Sequence, residues 1–157
     1  MRILGIDPGT RVAGYGIVDK VAGDLKAVTW GAIRVRPSED ISKRLLEIHQ
    51  GLAKVIEEYR PDEVALEEAF FGRSAKAALR IGEGRGAATL SAALSGLPVS
   101  SYAPTVIKKA VVGIGSASKE QVQRMVQVIL GLKEPPTPLD AADALGIAIC
   151  HAHRLRG

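Results

Sequence analysis

Residues 3–10, which read ILGIDPGT, are the stretch that decides the fold of this chain. The run 3–6 is apolar at every position, as in a central strand covered on both faces. Pro8 and Gly9 end this strand, because proline lacks a backbone donor and glycine permits positive φ. Asp7 is therefore expected at the rim of a sheet, where sites form in open α/β folds. The alternative is a turn aspartate that bonds only its own backbone.

The composition favours one globular domain, residues 1–157. The chain is 46% hydrophobic, and a chain of this length can bury roughly 70% of its unfolded surface. The net charge of +4 and the pI near 9.4 favour a polyanionic partner. The single cysteine, Cys150, excludes an internal disulfide and fits a reducing compartment. We expect a cytoplasmic protein without a membrane partner, because no signal peptide precedes the first strand and prolines interrupt the uncharged stretch 86–107.

Hydrophobic periodicity predicts an α/β protein with a mixed five-stranded sheet sandwiched by helices. The predicted strands are 3–6, 12–19, 27–35, 63–67 and 98–102. The predicted helices are 41–59, 74–94, 105–112, 118–130 and 140–155. The first three strands follow one another as antiparallel hairpins, and the helix after them implies a right-handed parallel crossover to the fourth.

Three glycines interrupt the predicted helix 74–94, namely Gly82, Gly84 and Gly86. Each costs up to ~1 kcal/mol relative to alanine, so some contact must compensate. We expect close helix packing against a second subunit, and the alternative is a kink.

Two acids are expected at one rim of the sheet. Asp7 and Glu67 each follow an apolar strand, and the crossover rule makes these strands parallel. Glu68 competes with Glu67, but successive strand side chains face opposite ways, so only one of them can point towards Asp7. We favour Glu67, the first acid after the buried run. A solvated acid at a strand end is the alternative.

Asp140 and Asp143 are a second pair of candidate acids. They lie three residues apart in LDAADAL and so share one helix face. An aspartate at the N-cap with a second acid at N3 would also stabilise a helix start without forming any site. The small apolar neighbours favour a helix face that lies on the sheet, where an acid needs a partner. His151 is roughly 12 Å further along this helix and is left outside the site.

Carboxylates crowded at one rim repel one another unless a cation neutralises them. Oxygen ligands suit Mg²⁺, with Mn²⁺ as a substitute, and no histidine-cysteine set indicates zinc. Two such ions ~3.5–4 Å apart would stabilise the attacking water and the departing oxygen in phosphodiester hydrolysis. The predicted catalytic and metal-binding residues are Asp7, Glu67, Asp140 and Asp143.

Several motifs together resemble one protein family. They are IDPGTR at 6–11, the strand ending at Glu67 with Phe70 beyond it, VGIGSA at 112–117 with Lys119, and DAADAL at 140–145. In this order the chain resembles the RuvC family of Holliday-junction resolving endonucleases, within the RNase H-like superfamily. The resemblance implies an RNase H-like fold and a Mg²⁺-dependent homodimer that nicks opposite strands of a four-way DNA junction. It also implies a role in recombination and repair beside branch-migration motor proteins.

The resemblance further implies roles for single residues. It places the family's metal-binding acids on the four carboxylates named above, its wedge aromatic on Phe70, and its phosphate-binding lysines on Lys108 and Lys119. A separate stripe of cations follows the paired phenylalanines at helical spacing and without an acid, and it is expected to track DNA phosphates. This stripe is made by Arg73, Lys76 and Arg80. A solvated helix face is the alternative.

Two other functions fit parts of the sequence. DPGT at 7–10 also resembles the phosphate loop of the actin and sugar-kinase ATPases, so an ATP-dependent phosphotransferase is the alternative enzyme. A single domain of 157 residues cannot form the two-lobed cleft of those ATPases. The third possibility is a non-catalytic nucleic-acid-binding module, whose mark would be the loss of an acid, and none is lost here.

Overall fold

The structure is a computed structural model that describes residues 1–37, 40–68 and 74–155. Its strands are β1 (Arg2–Asp7), β2 (Val12–Val21), β3 (Asp24–Arg34), β4 (Glu63–Glu67) and β5 (Val99–Tyr102). Its helices are α1 (Ile41–Tyr59), α2 (Ala75–Leu94), α3 (Pro104–Val112), α4 (Lys119–Leu130) and α5 (Leu139–Arg154). The strands form one sheet in the order β3-β2-β1-β4-β5.

The predicted strand directions are confirmed. β1, β2 and β3 pair antiparallel, whereas β4 lies parallel to β1 and β5 lies parallel to β4. The second hairpin is tighter than the predicted turn at 22–24, because Ala22 and Gly23 make the turn alone with φ of 52° and 91°. Positive φ at both central residues matches the twist of the flanking strands, so β2 and β3 extend further than predicted.

Helices cover both faces of the sheet. Along β1 successive side chains alternate, so Ile3 packs on the face of α3, α4 and α5, whereas Leu4 and Ile6 pack on the face of α1 and α2. This two-sided burial explains why the first strand is apolar at every position. No helix in the described part of the chain is both long and apolar enough to span a membrane.

Three glycines let α5 lie directly on β1 and β2. A Cβ atom at Gly5 would lie 2.0 Å from the main-chain oxygen of Ala144, and one at Gly14 would lie 2.1 Å from that of Asp140. A Cβ atom at Gly16 would lie 2.7 Å from the side chain of Leu145. The helix backbone thus reaches the sheet surface itself, and its first turn lies over the end of β1.

The glycines of α2 have different surroundings. Gly84 is buried, and a Cβ atom there would lie 2.9 Å from the carbonyl carbon of Gly9 in the turn after β1. At Gly82 and Gly86 a Cβ atom would meet nothing within 4 Å in the described part of the chain. Close packing within one chain therefore accounts for Gly84, but Gly82 and Gly86 face open space.

Gly5→Ala is expected to destabilise the fold strongly, because its methyl group overlaps the backbone of α5. Overpacking of a core typically costs ~1–3 kcal/mol, and here the clash is with main chain that cannot rotate away, so we expect the upper end. Chemical denaturation measures the loss. Gly146→Ala is the matched control in α5, since its Cβ atom would meet Val122 at an ordinary 3.5 Å. Equal stability of the two variants would contradict the close approach of α5.

Candidate active site

Strand register brings Asp7 and Glu67 to the same rim and the same face. Ile6 of β1 is paired with Leu66 of β4, so the next residue of each strand is one of the two acids. Ala65 packs on the α5 face and Leu66 on the α1 and α2 face. Alternation therefore directs Glu67 to the α5 face, where Asp7 also points, and Glu68 to the opposite face. Of the two candidates, Glu67 is the neighbour of Asp7.

Helix α5 begins two residues earlier than the N-cap interpretation requires. Its N-cap residue is Pro138, and no side chain caps the helix start. Asp140 is the second helical residue, and its main-chain oxygen lies over Gly14 at the end of β2. The interpretation of Asp140 as an N-cap is therefore wrong. Asp143 follows three residues later on the same face of the helix.

The rim between β1, β4 and α5 contains a cavity of about 150 Å³. Its polar lining residues are Asp7, Glu67, Asp143, Lys108 and Lys119. Its apolar lining residues are Pro104, Ile107, Val122 and Ile147. Asp140 is outside this lining but close enough for its charge to raise the pKa of both Asp7 and Asp143. The structure thus gathers three of the four predicted acids around one space, with the fourth beside it.

Burial and mutual repulsion perturb these acids. Burial is the largest cause that raises the pKa of Asp7, to about 8, and the charges of Asp143, Glu67 and Asp140 add to it. Burial also raises the pKa of Glu67, followed by the charge of Asp143. The pKa of Asp143 is raised by burial as well, although Lys119 opposes the shift. Each carboxylate is therefore harder to ionise in this site than in water.

Two lysines bring positive charge to the cavity. Ser118 caps α4 in a capping box with Gln121, which fixes Lys119 as the first helical residue. The Lys119 Nζ atom lies 3.3 Å from Oδ2 of Asp143, and the negative charge of Asp143 is the main cause that raises the pKa of Lys119. Lys108 approaches from α3 and lowers the pKa values of Glu67 and Asp143. Cations that already compensate buried carboxylates are also suited to hold a phosphate.

The donor set fits a divalent cation. Carboxylate oxygens are the ligands that Mg²⁺ and Mn²⁺ prefer, and a cation would relieve the repulsion that raises the pKa values of these acids. In the positions they take here, no three histidine, cysteine, aspartate or glutamate side chains of the described residues converge closely enough to hold an ion. One of the acids, Asp143, is instead paired with Lys119.

The structure describes two of the four remaining predicted DNA contacts, Lys76 and Arg80. Phe70 and Arg73 are outside the described residues. Lys76 is exposed on α2, and Arg80 pairs with Glu83 at 3.0 Å, so the expectation of a cationic stripe without an acid is wrong for Arg80. His151 is buried, and its Nε2 lies 2.6 Å from the carboxylate of Glu63 at the opposite end of β4 from Glu67.

One contact of the site was not predicted from the sequence. Arg85 of α2 donates from Nε to the main-chain oxygen of Glu67 at 2.9 Å. Sequence patterns gave no signal for this bond, because its acceptor is a carbonyl that every residue possesses. The only available hint was an arginine among glycines and alanines in the middle of a helix.

The sequence is similar throughout to one family. The family model described as crossover junction endodeoxyribonuclease RuvC matches residues 3–151. The RuvC crossover junction endodeoxyribonuclease of Moorella thermoacetica is 51% identical over 152 residues, which cover 97% of this chain and 91% of the relative. That of Geobacter sulfurreducens is 49% identical over 153 residues, covering 98% and 93%.

Solved structures agree with the sequence comparison. Thermus thermophilus RuvC in complex with a Holliday junction substrate superposes with a TM-score of 0.89 at 40% identity, covering 97% of this chain and 93% of that one. The yeast mitochondrial Holliday junction resolvase superposes with a TM-score of 0.66 at 16% identity, covering 96% and 77%, which is a likeness of fold.

In metal-free protein, Asp7→Asn is expected to raise stability at alkaline pH. The pKa of Asp7 is 3.8 ordinarily and about 8 in the folded protein, so between these values the folded state holds a proton that the unfolded chain has released. Stability therefore falls as pH rises through this window, and asparagine removes the loss. We expect a melting temperature at least ~2 °C above wild type at pH 8, and little difference near pH 4.

Asp24→Asn, at an exposed turn, is the control for this comparison. The melting temperature of this variant should differ from that of wild type by nearly the same amount at pH 8 and near pH 4. A melting temperature of Asp7→Asn equal to or below wild type at pH 8 would show that Asp7 is not held in an unfavourable charged state.

Proposed function

This chain belongs to the RuvC family of crossover junction endodeoxyribonucleases, and from that premise we propose how its site resolves four-way DNA junctions. The activity is endonucleolytic hydrolysis of phosphodiesters in opposite strands of a Holliday junction, in DNA recombination and repair. The observation that carries the proposal is the meeting of Asp7, Glu67 and Asp143 with two lysines in one cavity at the sheet rim. The Thermus thermophilus relative bound to a Holliday junction supports the choice of substrate.

Two divalent ions would be held by the four acids Asp7, Glu67, Asp140 and Asp143. Mg²⁺ would be the natural ion, and Mn²⁺ would substitute for it. When bound, such ions supply Lewis-acid stabilisation of the attacking and departing oxygens. Asp7 and Glu67 present their carboxylates from neighbouring strand ends, and α5 presents the other two from above. The raised pKa values of Asp7, Glu67 and Asp143 support this assignment, since a divalent ion favours the charged form of a carboxylate.

Lys108 and Lys119 would bind the scissile phosphate. Both line the cavity, and Lys119 already faces a negative oxygen at Asp143. Asp143 is one of the residues that would hold the ion, and its present partner Lys119 would then be available to the substrate phosphate. Its ammonium then neutralises charge that builds up on the phosphate oxygens.

The proposal of further DNA contacts rests on the family resemblance and, for Lys76, also on its exposed position. Phe70 would act as the wedge that stacks on an unpaired base at the junction centre. Arg73 and Lys76 would follow the phosphate backbone. Arg80 would contribute less, because Glu83 already neutralises part of its charge.

The enzyme would act as a homodimer, because two symmetric cuts need two active sites. The supporting surface is the outer side of α2, where Leu79, Leu90 and Leu94 are exposed beside Gly82 and Gly86. A groove of about 490 Å³ between α1 and α2 continues this apolar surface through Leu45 and Leu46. A second copy of α2 could approach closely at the two glycines, where no Cβ atom intervenes.

We also propose that residues 1–157 function as one nuclease domain, since both faces of the single sheet are covered by helices of the same chain. A cytoplasmic location follows from its DNA substrate and fits the buried thiol of Cys150. Branch-migration motor proteins are the partners that the family resemblance implies. An ATP-dependent phosphotransferase is not supported, because the family and the relatives are endonucleases.

Substrate choice is tested with labelled four-way junction, linear duplex and single-stranded DNA, each with and without Mg²⁺. We expect paired nicks in the junction alone and only with the metal. Cleavage of all three substrates at similar rates, or cleavage that persists in chelator, would refute the proposal.

Asp143→Asn is expected to lower the cleavage rate by more than ~100-fold. Loss of a residue that only supports a metal ligand costs up to about that much, and loss of a direct ligand should cost more. Junction affinity should stay within about threefold, because phosphate contacts supply most of the binding. Single-turnover cleavage and a binding titration in Ca²⁺ measure the two effects, and Asp140→Asn should behave alike. Glu120→Gln, exposed next to Lys119, is the control that should retain full activity. Near-normal cleavage by Asp143→Asn would remove Asp143 from the site.

Leu90→Asp is expected to convert the dimer to a monomer at micromolar concentration. Leu90 is 56% exposed in the single chain, so the charge should disturb the partner surface and leave the fold intact. Sedimentation velocity measures the change. Val128→Asp on α4, where the valine is 69% exposed, is the matched control and should remain dimeric. A monomeric wild type, or a dimeric Leu90→Asp variant, would contradict this interface.

A further inference from the structure

Arg85 joins the ends of two neighbouring strands. Its Nε donates to the main-chain oxygen of Glu67 in β4 at 2.9 Å, and its Nη2 donates to the Oγ atom of Ser101 in β5 at 2.6 Å. The two acceptors lie on adjacent strands, because Leu66 is paired with Ser101 in the sheet register. One planar guanidinium therefore spans the strand ends from the α2 side.

The bond to Glu67 restrains the residue whose carboxylate lines the cavity. A guanidinium donates shorter and stronger hydrogen bonds than a neutral group, and its fork holds two acceptors at a fixed angle. The amide of Glu68 donates to the oxygen of Tyr102 at 2.8 Å, so the peptide between residues 67 and 68 is held at both its oxygen and its nitrogen. Because this peptide is fixed, the direction in which the Glu67 side chain leaves the main chain is fixed as well.

The same turn of α2 also contacts the strand end that carries the other rim acid. Gly84, next to Arg85, is seated on Gly9 in the turn after Asp7. Residues 84 and 85 therefore contact the turn after β1 and the last residue of β4, respectively. On the other side of this turn, Gly82 and Gly86 face the open surface.

We propose that Arg85 is a positioning residue that fixes the Glu67 carboxylate for metal binding and links it to the outer surface of α2. Arg85 acts through the main-chain oxygen of Glu67 and is not itself among the residues that line the cavity. The metal-binding part of this inference rests on the proposed function. The restraint on the end of β4 can be measured without metal or DNA.

The test compares Arg85→Met, Arg85→Lys and Ser101→Ala with wild type. Arg124→Met, an exposed arginine on α4, is the matched control. Hydrogen exchange of peptides covering residues 64–68 reports on the strand end, and residues 12–21 serve as the internal reference. Mn²⁺ titration, followed by the paramagnetic resonance signal of the free ion, gives metal affinity, and junction affinity is measured in Ca²⁺.

Arg85→Met is expected to speed exchange at 64–68 while leaving 12–21 unchanged, and to weaken Mn²⁺ binding by ~10-fold, as loss of an outer-sphere partner does. Cleavage by this variant should recover as the metal concentration rises, and junction affinity should stay within about twofold. Arg85→Lys should be intermediate, because it keeps one donor and the charge but loses the fork. Ser101→Ala removes only the second bond and should shift exchange in the same direction without any change of charge.

Three results would overturn the proposal. If hydrogen exchange at 64–68 and Mn²⁺ affinity are the same in Arg85→Met as in wild type, the hydrogen bonds of Arg85 do not restrain the end of β4. Faster exchange throughout the protein would show a general structural role. Weaker junction binding with a shallower salt dependence and unchanged Mn²⁺ affinity would make Arg85 a DNA contact instead. A wild type that binds Mn²⁺ but cleaves no junction would refute the proposed function, while the exchange and Mn²⁺ measurements still decide the role of Arg85.

Discussion

The close approach of α5 to the glycines of β1 and β2 is the contact on which the rest of the structure depends. Gly5 and Gly14 leave room for the main chain of Ala144 and Asp140 to lie on the sheet surface. At this distance the N-terminal part of α5 carries Asp140 and Asp143 to the rim where β1 already ends in Asp7. A helix held off by even one layer of side chains would leave the acids of α5 and those of the strands in separate places. The geometry of the site is therefore set by residues that have no side chain.

The site is built at some expense of stability. Buried carboxylates that face one another would be more stable as neutral acids, and the pKa of Asp7 at about 8 expresses that preference. Lys119 offsets part of the charge at Asp143. The surrounding apolar residues, among them Ile107 and Ile147, deepen the effect by excluding water. A cluster of titratable groups with strongly perturbed pKa values in a cavity is typical of functional sites.

Much of the fold and part of the site could be predicted from local sequence rules. The apolar run of β1, the crossover to β4 and the alternation of side chains together selected Glu67 over Glu68 correctly as the neighbour of Asp7. The start of α5 could not be predicted, because Asp140 is an excellent N-cap residue and only the position of Pro138 in the folded chain decides against it. The pairing of Arg80 with Glu83 was missed although the spacing allowed it. The contact of Gly84 with Gly9 could not be predicted. It depends on how α2 is rotated about its axis, and that rotation turns Gly84, rather than Gly82 or Gly86, towards Gly9.

The packing of α5 on β1 also has a consequence for synthesis of the protein. Asp7 leaves the ribosome long before Asp140 and Asp143, which follow the five strands of the sheet in the chain. A growing chain that ends before residue 139 can pair its strands, but it lacks the helix that packs directly on β1 and β2, and its rim holds Asp7 and Glu67 without Asp140 and Asp143. A sheet surface left exposed in this way invites association with other chains, so α5 shields the sheet as well as completing the cluster of acids. The strand acids and the acids of α5 therefore meet at one rim only after α5 has folded back onto β1 and β2.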